Sequence, residues 1–106
     1  MGLFFKKKSS QPNAALLSRV NGQSLRYVTR RTGSDPTETV VGKGGSLSIH
    51  DSQVIVTCDE GVVAKIPLEQ VQIGELLSGD GATVDFEENG IRVTLVAYYT
   101  YYRKVN

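Results

Sequence analysis

His50 and Cys58 are the one histidine and the one cysteine of this 106-residue chain, so any nucleophilic catalysis by a Cys–His pair depends on them. Such a pair works only when the imidazole lies within hydrogen-bond reach of the thiol. The segment SLSIHDSQVIVTCDEG predicts adjacent strands, with His50 beside one turn and Cys58 at the opposite strand end. About five residues at ~3.4 Å each separate them. We therefore predict a buried structural Cys58 and no enzymatic activity.

The chain lacks the sets of residues that usually bind metal ions or phosphate. A zinc site takes three or four Cys, His or carboxylate ligands at close spacing, and the acids of GDGATVDFEE do not have the spacing of a calcium loop. Gly42, Gly44 and Gly45 surround Lys43 as in a phosphate-binding loop, but no helix pattern follows them. We predict a plain turn there, and we expect no metal and no cofactor.

A basic patch is the best candidate for ligand binding. Arg26 and Arg30 are four residues apart on a predicted strand and should share one face, with Arg31 entering the next loop and Lys43 following it. Guanidinium groups bind phosphate in a bidentate manner. The patch predicts a site for a phospholipid head group or a nucleotide. The alternative is a solvated strand face whose charges are balanced by nearby acids.

Two other segments have the composition of contact surfaces. The last strand is rich in tyrosine, and the outward-facing members, Tyr98 and Tyr102, predict an interface with a protein partner or a second copy of the chain. Near the N-terminus, aromatic and basic residues predict contact with an anionic membrane: Phe4, Phe5, Lys6, Lys7 and Lys8. The alternatives are ordinary packing for the tyrosines and a solvated terminus for the leader.

The charge distribution is uneven, although the net charge is only +1. Residues 1–31 contain seven basic side chains and no acidic one, whereas residues 32–91 contain all eleven acids. Such an asymmetry orients a molecule near a polyanion. The acidic centre of the chain argues against a nucleic-acid groove.

Three hairpins can be registered from their turns. A two-residue turn at Asp51-Ser52 places Leu47 opposite Val56 and Ile49 opposite Val54. A three-residue turn at 59–61 then predicts three apolar pairs, namely Cys58 with Val62, Val56 with Ala64, and Val54 with Ile66. Asn89-Gly90, the favoured type I′ pair, predicts a third hairpin with four pairs, namely Glu87–Arg92, Phe86–Val93, Val84–Leu95 and Ala82–Ala97.

The chain outside these hairpins completes the predicted fold. Residues 1–12 read as a flexible basic leader, and 13–106 as a single β-rich domain. A short helix is expected over residues 13–20, docked on the sheet, and residues 67–81 are expected to form a connector, either a turn of helix or an irregular crossing. The total is about seven antiparallel strands in a bent half-barrel or orthogonal sandwich.

The segment GSLSIHDSQVIVTCDEGVVAKIPLEQVQIGEL resembles bacterial pleckstrin-homology-like (PH-like) or GRAM-type domains, which combine tight hairpins with a Pro-Leu-acidic phrase, here residues 66–71. The resemblance covers residues 23–103 and implies a bent half-barrel that serves as a binding platform. The short helix would replace the family's C-terminal helix. Arg26-x-x-x-Arg30 is also similar to the arginine motif of PilZ barrels, although the companion motif is missing.

These observations predict a non-catalytic PH-like interaction domain that contacts proteins, with peripheral membrane contact as an added role. The alternative is a module that binds a small anionic ligand. A single cysteine excludes an intrachain disulfide, and the first residues do not match a signal peptide. We therefore expect a cytoplasmic location, with peripheral contact at the inner face of the membrane as part of the same expectation.

Overall fold

The computed structural model describes residues 14–100, which fold into one α-helix, eight strands and a 3-10 helix. The chain order is α1 (Ala14–Val20), β1 (Gln23–Thr32), β2 (Thr39–Lys43), β3 (Ser46–His50), β4 (Gln53–Cys58), β5 (Gly61–Pro67), the 3-10 helix (Leu68–Gln70), β6 (Gln72–Glu75), β7 (Gly81–Glu88) and β8 (Ile91–Tyr99). The predicted mainly-β class with a short N-terminal helix is confirmed. The predicted leader, residues 1–12, lies outside the described residues.

The strands form one open antiparallel sheet ordered β5-β4-β3-β1-β8-β7-β6, with β2 beside β1. β3, β4 and β5 contribute Leu47, Val56 and Ile66 to the core, and β7 and β8 contribute Val84 and Leu95 to the same cluster. Because both halves of the sheet bury side chains in one cluster, the sheet bends around a single core. No helix among residues 14–100 is long and apolar enough to cross a membrane.

Turn chemistry determines two of the hairpins as predicted. Asp51 and Ser52 both have positive φ, 51° and 61°, and the turn pairs β3 with β4 in the expected register. Asn89 and Gly90, with φ of 55° and 78°, form the other turn, and all four predicted pairs between β7 and β8 are present. Two positive φ values in succession define the type I′ geometry that suits twisted strands.

The turn between β4 and β5 differs from the prediction. Cys58 pairs with Gly61, so the turn has two residues rather than three, and the register shifts at Val56/Thr57 before the predicted pairs resume. The shift reverses two side chains. Val62, expected to face inward opposite Cys58, is 63% exposed, whereas Val63 packs against the core. The extra residue that was predicted in the turn is instead accommodated by a bulge within the β4–β5 ladder.

β1 pairs with β3 at its start, with β2 further along, and with β8 along most of its length. The β2–β3 connection turns at Gly44 and Gly45, whose φ values are 72° and 84°. A Cβ placed on Gly45 would lie 1.7 Å from the Thr57 carbonyl oxygen. Gly45 is therefore required both by its left-handed conformation and by the closeness of β4. The predicted plain turn is thus a tightly packed corner of the sheet.

The N-terminal helix docks on the sheet as expected. Val20 is completely buried, and Leu16 packs against the same cluster. The Asn21 side-chain oxygen accepts the Ile49 amide proton at 2.8 Å, and the Gly22 amide donates to Leu47 at 2.7 Å. On its other side, Arg19 forms an ion pair with Glu75 at 2.8 Å. A seven-residue helix is marginal in isolation, so these contacts maintain it.

The predicted connector contains a strand that the sequence pattern did not indicate. After the 3-10 helix, β6 pairs with β7 over four residues, with Ile73 opposite Val84. This accounts for eight strands instead of about seven. β8 ends at Tyr99, and Thr100 lies in a bend.

Candidate functional site

Arg26 lies in a cluster with two stacked tyrosines on the outer face of the sheet. The rings of Tyr27 and Tyr98 are 4.6 Å apart, and the Arg26 guanidinium lies 5.6 Å and 5.9 Å from their centres. Its Nε donates to the Tyr99 carbonyl at 2.7 Å, and Asp80 lies 3.7 Å from its terminal nitrogen. These contacts hold the side chain in one place. We call Arg26, Tyr27, Glu38 and Tyr98 the tyrosine cluster.

The four predicted basic residues do not form one patch. The register between β1 and β8 shifts at Leu25/Tyr27, so the prediction that Arg26 and Arg30 share a face is wrong. Arg30 lies opposite Leu95 and forms an ion pair with Glu88 at 2.8 Å. Lys43 lies opposite Tyr27, and Arg31 lies opposite Thr94. The structure therefore brings only Lys43 near Arg26.

Of the other predicted site residues, one lies in the tyrosine cluster and the rest belong to the terminal segments of the sequence. Tyr98 belongs to the cluster, where its hydroxyl donates to Glu38 at 3.4 Å and the Thr29 hydroxyl donates to the same carboxylate at 2.6 Å. The predicted interface residue Tyr102 and the predicted membrane residues, Phe4, Phe5, Lys6, Lys7 and Lys8, lie outside the described residues.

Alkaline titration should report on Tyr98. Burial raises the pKa of its hydroxyl above the ordinary value of 10.0, and the negative charge of Glu38 adds to this effect. The unfolded chain therefore loses this proton first, so stability should fall as pH rises above about 10, through the raised pKa. Tyr98→Phe removes this contribution. Melting temperatures from pH 8 to 11 should decline less steeply for the variant. Equal slopes would contradict the assignment.

An open groove of about 360 Å³ separates β2 from the start of β5. Val41 lines one wall and Val62 and Val63 line the other, with Arg30 and Glu60 also at the groove. At its base, a Cβ on Gly42 of β2 would lie 2.5 Å from the sulfur of Cys58, the last residue of β4, so β2 and β4 are in close contact there. Val41 and Val62 are 38% and 63% exposed. We call this feature the valine groove.

Both walls of the valine groove are strand edges without a neighbour. Among residues 14–100, β5 pairs only with β4, and the ladder of β2 is made only with β1. One main-chain hydrogen bond joins the two sides at the base, from the Asp59 amide to the Lys43 carbonyl at 2.8 Å. In an antiparallel strand, alternate N–H and C=O groups point away from the paired side. β2 and β5 therefore each leave main-chain donors and acceptors unpaired along one edge, and both strands carry exposed valines.

Cys58 lies under this groove as a buried free thiol, as predicted. Burial raises the pKa of the thiol above its ordinary 9.0, and the carboxylate of Asp59 raises it further. His50 is exposed and contacts Asp51 at the other end of β4. The thiolate, the reactive form, is therefore disfavoured, and the imidazole is too distant to generate it.

Thiol reagents should distinguish this environment from a reactive cysteine. At pH 8 we expect Cys58 in the folded protein to react with a disulfide reagent at least about 100-fold more slowly than in guanidinium-unfolded protein, because access requires opening and the thiolate is scarce. The reaction rate should continue to rise at pH values where an ordinary thiol is already fully deprotonated. Comparable folded and unfolded rates would contradict a buried, protonated thiol.

A larger depression of about 520 Å³ lies near β6, lined by Gln70, Gln72, Asp85, Phe86, Glu87 and Arg92. Two of its charged members are engaged with each other, since Arg92 lies 3.6 Å from Asp85, and Thr94 donates a hydrogen bond to the same carboxylate. Within residues 14–100, no group of three His, Cys, Asp or Glu side chains is placed to hold a metal ion. β6 beside it is also an edge strand, but the lining is mainly polar, whereas the valine groove combines strand edges with the exposed Val41 and Val62, so the valine groove is the stronger candidate.

Sequence reasoning missed the valine groove because the groove depends on the two-residue turn and the register shift within the β4–β5 ladder. A two-residue Asp59-Glu60 turn, followed to its consequence, would have placed Val62 on the exposed side and revealed the apolar wall. In addition, no local sequence signal indicates that β2 pairs with β1 and with no other strand of the described residues. No protein-family model, no curated protein and no solved structure matches this chain.

Proposed function

We propose that this chain is a non-catalytic, PH-like interaction domain that binds an extended segment of a partner protein in the valine groove. The segment pairs with a free strand edge as an added strand. The observation that carries this proposal is the presence of two unpaired strand edges on either side of exposed valines. Support for the PH-like type comes from the bent antiparallel sheet and the helix packed on it.

Strand addition uses the groups that the groove leaves open. Main-chain hydrogen bonds to β5 provide affinity, and alternate side chains of the ligand select the sequence. Val41, Val62 and Val63 favour β-branched or aliphatic partners on the side that enters the groove. β5 spans seven residues, so a segment of about five to seven residues fits its length of roughly 20 Å.

The chemistry of the groove favours binding over catalysis. The thiol at its base is buried with a raised pKa, and the histidine lies at the far end of β4. Arg30, the cation at the groove, is already paired with Glu88. The ligand therefore meets apolar side chains and main chain instead of an activated nucleophile or a free cation.

A displayed random-peptide library selected on the full chain tests the proposal. We expect recovered peptides to carry β-branched or aliphatic residues at alternate positions. Val62→Asp should weaken their binding at least about tenfold, because it places a carboxylate against apolar ligand atoms. Leu77→Asp is the matched control, since it changes another exposed apolar residue on the β6–β7 turn.

N-methylation of the selected peptide, one amide at a time, tests the strand geometry. Methyl groups at alternate amides should abolish binding, and those between them should be tolerated, because a strand directs alternate N–H groups to its neighbour. The proposal fails if no peptide is recovered, if Val62→Asp binds the peptides as well as the wild type, or if the N-methyl effect does not alternate.

A further inference from the structure

The loop 33–38, between β1 and β2, folds back across the outer face of the sheet. The amide of its first residue donates to the Arg92 carbonyl at 2.7 Å. The carboxylate of its last residue, Glu38, accepts a hydrogen bond from the Thr29 hydroxyl at 2.6 Å. Thr29 and its cross-strand neighbour Val96 are each only 5% exposed, although Val96 alternates with the core residues of β8. The loop therefore covers this part of the outer face.

A cleft of about 470 Å³ lies between this loop and the sheet, and we call it the loop cleft. Residues 33–36 line it from the loop, and Thr83 and Thr94 line it from β7 and β8. Arg31, which lies opposite Thr94, and Arg92 also border the cleft. A volume of this size is typical of a site for a small molecule. The lining is polar, so hydrogen bonds and charge determine what it can bind.

The acidic residues at the loop cleft already have partners. Asp85 lies 3.6 Å from the Arg92 guanidinium and accepts a hydrogen bond from the Thr94 hydroxyl. Asp35 accepts the Thr37 amide proton at 2.9 Å, within the loop itself. Both carboxylates, together with Arg92 and Thr94, are therefore engaged in contacts of the protein.

The Arg31 side chain has no such partner. It is half-buried, yet it forms no ion pair and no hydrogen bond with any residue between 14 and 100. The hydroxyls of Ser34 and Thr83 are likewise without a hydrogen-bonding partner in this part of the chain. A guanidinium carries N–H donors and no acceptor, so its donors remain available to a bound anion. The loop cleft therefore combines one unpaired guanidinium with two unengaged hydroxyls.

We propose that the loop cleft binds a small ligand through an oxyanion group, a carboxylate or a phosphate, with the Arg31 guanidinium as its main contact. Both groups match the planar fork of a guanidinium, which binds two of their oxygens at once. The Ser34 and Thr83 hydroxyls donate to other acceptor atoms of the ligand. This site is separate from the valine groove, which β2 and β5 border.

Titration of the full chain with sodium phosphate and, separately, with sodium acetate tests the proposal. Sodium chloride holds the ionic strength constant, and amide NMR spectra follow the binding. We expect saturable shifts of the Ser34 and Thr83 amide signals with at least one of the two anions. Arg31→Gln should raise the dissociation constant at least about tenfold, because it removes the charge-assisted, bidentate contact. Tighter binding of phosphate would identify a phosphorylated ligand, and tighter binding of acetate a carboxylate ligand.

Arg30→Gln is the matched control, because it removes the same charge from the preceding residue of β1. Arg30 faces the other side of the sheet and pairs with Glu88, so this variant should bind the anions like the wild type. Thermal melting of both variants checks that folding is retained. Absence of saturable shifts with both anions, or equal weakening by Arg31→Gln and Arg30→Gln, would overturn the site. Peptide binding by Arg31→Gln, and anion binding by Val62→Asp, distinguish a failure here from a failure of the valine groove.

Discussion

Gly45→Ala should destabilise the protein by about 2–5 kcal/mol, a large share of the stability of a domain this small. The residue has a φ of 84°, where an alanine costs roughly 1–2 kcal/mol. Its Cβ would also lie 1.7 Å from the Thr57 carbonyl oxygen, so β4 must move, at a further cost of about 1–3 kcal/mol. Urea unfolding followed by circular dichroism measures the change.

Gly22→Ala separates the two causes. Gly22 has a nearly identical φ of 85°, but nothing lies within 4 Å of the position that a Cβ would take. This control should lose only about 1–2 kcal/mol, the conformational part of the effect. If both substitutions lower the free energy of unfolding by the same amount, then β4 does not lie as close to the β2–β3 corner as described.

Val20→Asp should lower the free energy of unfolding by about 3–4 kcal/mol. Val20 is completely buried where α1 meets the sheet, so the substitution removes roughly 1.5–2 kcal/mol of apolar burial and leaves a carboxylate without a partner among apolar atoms. Undocking of the helix would expose the core beside Leu47. Urea unfolding of the variant measures the change, and its amide exchange should be faster at Leu47.

Ala15→Asp is the control on the same helix, because Ala15 is exposed. An acid in the first helical turn interacts favourably with the helix dipole, so this variant should stay within about 0.5 kcal/mol of the wild type. Equal stability of Val20→Asp and Ala15→Asp would show that α1 does not seal the core.

Local rules were sufficient for two of the three hairpins. Asp51-Ser52 and Asn89-Gly90 form two-residue turns with positive φ, and such a turn leaves one register available to its strands. Burial of Leu47, Val56, Val84 and Leu95 follows from that register and from the alternation of side chains. These parts of the fold could be predicted because the turn and the apolar pattern specify the same pairing.

Bulges and short strands were not predictable in the same way. The shift in β1 near Arg26 lets both Leu25 and Val28 enter the core, which simple alternation forbids. β6 has only four residues and exists because β7 offers it a free edge. Such features depend on contacts between distant segments, so a reading of one segment at a time does not reveal them.

The candidate site follows the same division. The tyrosine pattern correctly indicated an outward Tyr98, but the partner ring of Tyr27 and the placement of Arg26 over both required the bulge in β1. The valine groove required the register shift that exposes Val62. The predicted basic patch is not formed, because the bulge in β1 places Arg26 and Arg30 on opposite faces of the sheet.

Residue-resolved amide hydrogen exchange along β5, with and without the tightest peptide from the library, tests binding in the valine groove most directly. In the free protein, amides that face β4 should be protected, and those on the open edge should exchange quickly. Peptide binding should protect the open-edge amides between Val62 and Ile66 at least about tenfold. A peptide that binds while those amides remain fast to exchange would contradict strand addition at this edge.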